Sequence, residues 1–488
     1  MRFMPVLAAL LPLLPLPALA IEQPESLRVD RYADDGAPGT LRWAIETNNQ
    51  NPGHYQIDIA AVGAPPYVIR PSRALPEIQG PVRITGLAWA RDGQYIAIDG
   101  SGYIKDQGSR TCPGALPGQF GTNVRTTTHP GLVLRDTQGV HISGLEVRNF
   151  CIGILINRAS GNVIEDNRII ANKGGAGVML TGDDGAGNST ATTTNHNKVM
   201  RNQLIDNGDG LELTRGAAFN LVADNLFRST AANPEPSQGI EILLGNDNSL
   251  VRNRFENYSD GVQINWGNRN YLAGNTFSGN SIGVSVTGQG NVLDGNLLHG
   301  NRIGVALRPE PDVTRTRLTG NRIWANSQDI RRCEAGGSCV PEQRTGAIVF
   351  GVPAQAHELY VGSRGVGADL AKKDQAVICD AKGEPKPCQP LPNHNQQPPR
   401  LKALQGETVL GEVQGPPLSL LRVELFGNAA THASEAEQYL GEVLVNSDER
   451  GQARFAQLLE NAQGLKSFTA TVTTADGATS ELSQPLPR

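Results

Sequence analysis

Between residues 150 and 330 the apolar positions fall in short runs that fit no helical period. Each run opens on a glycine and alternates: "GILIN", "GVMLT", "GLELT", "GIEIL", "GVQIN", "GVSVT" and "GVALR". Period two over so few residues predicts a short strand with one face inward and one outward. Between these runs an Asn, then any one residue, then a large apolar residue recurs, at Asn167, Asn202, Asn225, Asn253, Asn275, Asn296 and Asn321. The intervals are 35, 23, 28, 22, 21 and 25 residues, a basic repeat of about 22 with insertions. A second Asn follows five residues later in most units, at Asn172, Asn207, Asn280, Asn301 and Asn326. No single unit can bury its apolar face, so units must stack end to end around a continuous core of Val, Ile and Leu. Strands of successive units then pair in parallel, about 4.8 Å apart. Asn tolerates the left-handed backbone of the corners, and stacked amides can bond to one another. The predicted class is all-β.

This "NxI…N…GIxI" pattern resembles the right-handed parallel β-helix, a solenoid found in carbohydrate-binding proteins and sugar hydrolases. The resemblance implies the fold and leaves the reaction open. The segment "GTLRWAIETNNQ" (Gly39–Gln50) predicts a short capping helix, with Thr40 as N-cap and Leu41, Ala44 and Ile45 on one face. Such a cap shields the open strand edges at the solenoid's end. "YVIRPSRALPEIQGPVRITG" (Tyr67–Gly86) reads as the first strands, and "GAIVF" and "ELYVG" as the last coils, to about residue 363. The Pro- and Gln-rich "QPLPNHNQQPPR" reads as a linker. Beyond it, "YLGEVLVNSDERGQARF" and "TATVTTADGATSEL" resemble a small immunoglobulin-like sandwich. The expected divisions are a signal peptide (1–20), the solenoid with its cap (21–363), a disulfide loop and linker (364–400), and the sandwich (401–488).

The leader reading rests on Arg2, an apolar run broken by Pro12, Pro15 and Pro17, and the small-residue site Ala18-Leu19-Ala20. It predicts export, to the periplasm, the cell surface or the medium. The 6 cysteines suit that compartment. Cys333 with Cys339 and Cys379 with Cys388 have the spacing of small disulfide loops, which would leave Cys112 and Cys151; the connectivity stays open. A net charge of −5 offers no basic surface, so no nucleic-acid partner is expected. No segment after the leader is long and apolar enough to span a bilayer.

Aligning the glycine-led strands brings candidate chemistry together. The first outward residue in successive coils is Leu155, Met179, Glu212, Glu241, Gln263, Ser285 and Ala306. The residue before the glycine is Ile152, Ala176, Asp209, Gln238, Asp260, Ile282 and Ile303. Acids therefore gather in adjacent coils: Asp209, Glu212, Glu241 and Asp260, beside Gln263 and Asn265. Stacked carboxylates are unfavourable unless one keeps its proton, as a general acid must, or a cation such as Ca2+ offsets them. The four acids are the expected catalytic groups. Arg215 could contact a carboxylate or hydroxyls, Trp266 and Tyr258 could stack on sugar rings, and His196 lies in an insertion. The insertions Gly182–His196 and Ser229–Gln238 are expected to wall a groove over the acids. The resulting expectation is an extended polysaccharide, bound and cleaved by a hydrolase or lyase. A non-catalytic carbohydrate-binding, adhesion or envelope-structural protein is the alternative. The paired-aspartate and Gly-His-Gly motifs of polygalacturonases and the Asp-Pro-His-Glu motif of alginate epimerases are missing.

Overall fold

The computed structural model describes residues 24–104, 129–183, 192–230, 238–307, 315–326, 346–350 and 392–488. Its larger part is a right-handed parallel β-solenoid with sheets of 11, 10 and 9 strands running along its length. The solenoid starts earlier than the sequence pattern suggests. Glu25–Val29 forms a strand paired in parallel with Tyr55–Ile59, and Leu27 and Val29 point into the core. Two inward residues are too weak a period to read without a partner strand. The predicted helix spans Leu41–Gln50, and Thr40 Oγ1 accepts from the Trp43 N–H at 3.3 Å. Leu41, Ala44 and Ile45 join the core. A second, six-residue helix, Leu87–Asp92, has no periodic signal of its own.

Arg42 ties this cap down. Its side chain is 2% exposed and its guanidinium makes a bidentate pair with Asp34, 2.9 Å on each arm. The remaining donors reach the carbonyls of Ala74 and Arg73 at 2.9 and 3.1 Å.

The corners are held by Asn ladders. In one, Asn167, Asn202, Asn225, Asn253, Asn275, Asn296 and Asn321 each donate Nδ2 to the Oδ1 of the next, at 2.9–3.1 Å. The same Oδ1 accepts the backbone N–H of the preceding Asn. A second ladder runs from Asn162 through Asn197, Asn220, Asn248, Asn270 and Asn291. All these amides are buried. Buried polar groups on irregular corners must be satisfied, and an amide that donates and accepts along the stack meets that need.

The glycine opening each strand of the 9-stranded sheet has a packing reason. Phe227, Phe255 and Phe277 stack in the core at centroid spacings of 4.9 and 4.7 Å. A Cβ at Gly239 would lie 2.5 Å from the Gly261 carbonyl oxygen and 2.6 Å from Phe255 Cδ1. Gly239→Ala should therefore destabilise by about 1–3 kcal/mol through overpacking. Urea unfolding of wild type and variant, followed by circular dichroism, checks this.

Residues 400–487 form a small β-sandwich of immunoglobulin-like kind from two antiparallel sheets. It closes the far end of the solenoid. Ile323 and Ala436 exchange backbone hydrogen bonds of 2.8 and 2.7 Å, and Gly320 N–H donates to Glu424 Oε2 at 3.0 Å. Phe426, Ala436 and Leu482 extend the solenoid core. Burial pushes the Glu424 carboxyl up to about 7, against the Gly320 hydrogen bond. The "GAIVF" strand, Gly346–Phe350, is the end strand of the 9-stranded sheet. "ELYVG" lies outside the described residues. Cys151 is disulfide-bonded, and the other cysteines lie outside the described residues.

Candidate functional site

The 9-stranded sheet differs from its companions in what happens to its outward face. In the other sheets most three-residue strands bury only their inward residue, as in Lys198–Met200 and Arg254–Glu256. In the 9-stranded sheet both faces are buried along Asp209–Thr214 and Asp260–Asn265. Leu211, Leu213, Ile240, Ile242, Val262 and Ile264 face the core. The outward residues form a second, separate interior. One end of it is apolar, built by Val133, Ile152, Leu155, Ala176 and Met179. The other end is apolar too, built by Ile282, Ile303, Ala306 and Val349. The acids sit between.

Register pairs Glu212 with Glu241, Glu241 with Gln263, and Gln238 with Asp260. Carboxylate oxygens of Asp209, Glu212 and Glu241 all lie within 4.8 Å of one another. Asp209 Oδ1 accepts the Gln238 backbone N–H at 2.8 Å. Asn265 Nδ2 donates to Glu241 Oε1 at 3.0 Å and to Gln263 Oε1 at 2.6 Å. Asp260 Oδ2 accepts from Ser285 Oγ at 2.5 Å and from Gln263 Nε2 at 3.3 Å. Glu212 is 6% exposed. Burial holds its carboxyl well above the usual range, reinforced by the charges of Glu241 and Asp209 and a hydrogen bond with Asp209; Arg215 pulls the other way. A low-dielectric site with several acids keeps one protonated.

Calcium is the cation that an all-oxygen donor set would suit. It takes six to eight oxygens, and the three carboxylates of Asp209, Glu212 and Glu241 bring six together, so a hard cation or a shared proton would each offset the like charges.

The other expected contacts divide. Arg215 follows the Glu212 strand with φ 32°, next to Gly216, and its guanidinium lies 3.8 Å from the buried Asp183. Trp266 follows the Asp260–Asn265 strand with φ 54°, its backbone N–H donating to Thr287 Oγ1 at 2.8 Å. Tyr258 is corrected: it is fully buried in the main core and belongs to the other side of the sheet. It occupies the corner position that Asn fills in neighbouring coils, its N–H bonded to Asn280 Oδ1, so its ring turns inward. His196 is exposed on the corner leading into the 11-stranded sheet, stacked 6.0 Å from Phe219. Most of the two insertions expected to wall the site, residues 184–191 and 231–237, lies outside the described residues. Sequence reading did not single out Ser285 or Thr214. Both appear in the strand alignment, but a short hydroxyl on a strand carries no signal by itself. Thr214 Oγ1 and Asn265 Oδ1 are buried with no hydrogen-bond partner among the described residues.

The family model described as a right-handed beta helix region matches residues 104–255, and one described as periplasmic copper-binding protein (NosD) matches residues 229–338. Among solved structures, the A-module of a mannuronan C-5 epimerase from Azotobacter vinelandii shares 15% identity over 59% of this chain and 91% of its own, with a TM-score of 0.35. An alginate lyase from a Paenibacillus species shares 12% identity over 57% and 93%, with a TM-score of 0.33. Likenesses this distant say nothing about chemistry. No helix among the described residues is long and apolar enough to cross a membrane. The informative relative is the 3-dehydroshikimate dehydratase of Acinetobacter baylyi, 57% identical over 461 residues, 94% of each chain. It overturns the expectation of a protein that binds or cleaves an extended polysaccharide, because that relative is named for a small molecule. The burial of Asp209, Glu212 and Asp260 explains the misreading: alignment alone makes them look like the floor of an open groove. With such identity along nearly the whole of both chains, this protein belongs to the family of the Acinetobacter baylyi 3-dehydroshikimate dehydratase.

Proposed function

We propose that this protein is an enzyme that removes water from 3-dehydroshikimate or a closely similar cyclic hydroxy-oxo acid. The observation that carries the reading is the 57% identity to the named dehydratase over 94% of each chain. The buried acid cluster supplies what such a reaction requires. The substrate has a ring C–H acidified by an adjacent ketone, and a hydroxyl one carbon further on. A base takes the C–H proton, a C=C bond forms, and the hydroxyl leaves as water once an acid protonates it. A further proton shift within the ring gives a dihydroxybenzoate. One water is lost and no electron is transferred.

Glu241, which accepts from Asn265, is assigned as the base, and Glu212, which keeps its proton, as the acid. Arg215, beside Glu212, suits the substrate carboxylate. Thr214 Oγ1 and Asn265 Oδ1 suit ligand hydroxyls, since a buried polar atom costs free energy until it is paired. The apolar residues at both ends limit the polar stretch to a few coils, a size matched to one ring. The leader-like first twenty residues support action outside the cytoplasm.

The test is direct. Purified protein is mixed with 3-dehydroshikimate, and aromatic product is followed by ultraviolet absorbance and NMR. Conversion to a dihydroxybenzoate supports the reading, and absence of water loss sinks it. Conversion that persists in both Glu212→Gln and Glu241→Gln would keep the activity but move the site.

A further inference from the structure

We propose that Asp260, which lies one coil beyond Glu241, is a positioning residue: through Gln263 and Asn265 it fixes Glu241 as a proton acceptor. The inference rests on the dehydratase reading for its kinetic consequence and on hydrogen-bond geometry for its substance.

A carboxylate only accepts hydrogen bonds, whereas an amide has one donating and one accepting end. Asp260 Oδ2 accepts from Ser285 Oγ at 2.5 Å and from Gln263 Nε2 at 3.3 Å. The Gln263 NH2 is thereby turned toward Asp260, and its Oε1 toward Asn265. That oxygen takes Asn265 Nδ2 at 2.6 Å. The Asn265 NH2 is fixed in turn, and its second hydrogen goes to Glu241 Oε1 at 3.0 Å. Ser285, Asp260, Gln263 and Asn265 are each no more than 1% exposed, so water does not compete for these bonds. The direction of donation set at Asp260 thus arrives at Glu241 as an N–H, and a donated hydrogen bond favours the ionised carboxylate. Among the described residues, the ionisable groups near Glu241 include Glu212 and Asp209 in the preceding coil, Asp260 in the following one, and Arg215 with Asp183 beyond Glu212. Two neighbouring glutamates would otherwise compete for one proton on equal terms. The amide relay breaks that symmetry toward Glu241 as base and Glu212 as acid.

Asn265→Asp is nearly isosteric and keeps an oxygen for the ligand, but it removes the N–H that Glu241 receives. We expect a fall in kcat of about 100-fold or more with KM changed less than about threefold, and an acidic limb of the pH–rate profile moved upward by about one unit. Asp260→Leu, which reaches Glu241 only through two amides, should give a smaller change of the same sign. Circular dichroism establishes that each variant is folded. A uniform loss of rate with the acidic limb in place would show a merely structural role and overturn the relay. A second readout needs no substrate: carbon-13 titration of the Glu241 carboxylate in wild type and in Asp260→Leu. The relay predicts that wild-type Glu241 stays ionised to lower pH; coincident curves overturn it. If wild type fails to dehydrate 3-dehydroshikimate, the functional reading falls, and the titration still decides the relay.

Discussion

Glu212→Gln is expected to abolish turnover of 3-dehydroshikimate, with a loss in kcat of about 10²–10⁴, while the protein folds as well as before or better. The amide keeps the shape of the protonated carboxyl but cannot give up a proton. Burial and the neighbouring charges of Glu241 and Asp209 raise the Glu212 pKa in the native protein. A carboxyl that binds its proton more tightly folded than unfolded stabilises the native state below its unfolded pKa. That contribution is lost as pH rises through the higher, folded pKa. Wild type should therefore lose stability toward alkaline pH, and the Gln variant should lose less. Melting temperature measured across pH for both proteins checks this, alongside single-turnover kinetics. Intact kcat in the variant would show that Glu212 is not the acid, and an unchanged slope of stability against pH would show that it is not the buried proton holder.

Asp34→Ala is expected to cost about 3–5 kcal/mol, because it leaves the buried Arg42 guanidinium without its counter-ion. Arg42 is 2% and Asp34 5% exposed at the side chain, and the pair closes bidentately at 2.9 Å. Burial alone would raise the Asp34 pKa; hydrogen bonds from Arg42 and from Ser72 outweigh it, and the net shift is downward. Stability from this carboxylate is thus fully present above its unfolded pKa and disappears as pH falls through the lower, folded one. The double replacement Arg42→Met with Asp34→Leu should recover much of the loss, since apolar groups of similar volume often substitute for a buried pair without penalty. Urea unfolding at neutral and acidic pH gives the comparison. Equal stability of Asp34→Ala and wild type would show that the cap is held by its apolar face alone.

The solenoid was legible in the sequence because its two signals are local and repeat: period-two apolar runs behind a glycine, and Asn at fixed offsets. The core residues Leu211, Ile240 and Val262 and the corner residues Asn225 and Asn253 follow from those signals. The register of Glu212 against Glu241 follows too, since shared glycine positions align the strands. Glu25–Val29 was not legible, because Leu27 and Val29 acquire meaning only beside Ile57 and Ile59. Tyr258 was read on the wrong side, because its residue type suggested stacking while its position in the Asn series placed it inside. Most consequential was the burial of the outward face. A glutamate on a strand looks the same in sequence whether solvent or protein lies over it. Solvent was assumed, and a polymer groove followed from that assumption. Whole-chain similarity to a dehydratase, rather than any motif, overturned the polysaccharide expectation.

The corner amides have a consequence for how such a protein can diversify. Neighbouring rungs are separated by as many as 35 residues, Asn167 to Asn202, and as few as 21, Asn275 to Asn296, yet the bonds are 3.1 and 3.0 Å. The frame therefore measures turns, not chain length. Segments between rungs can lengthen, shorten or change composition without disturbing the axial spacing, so relatives can acquire new ligand preferences while the chassis stays the same.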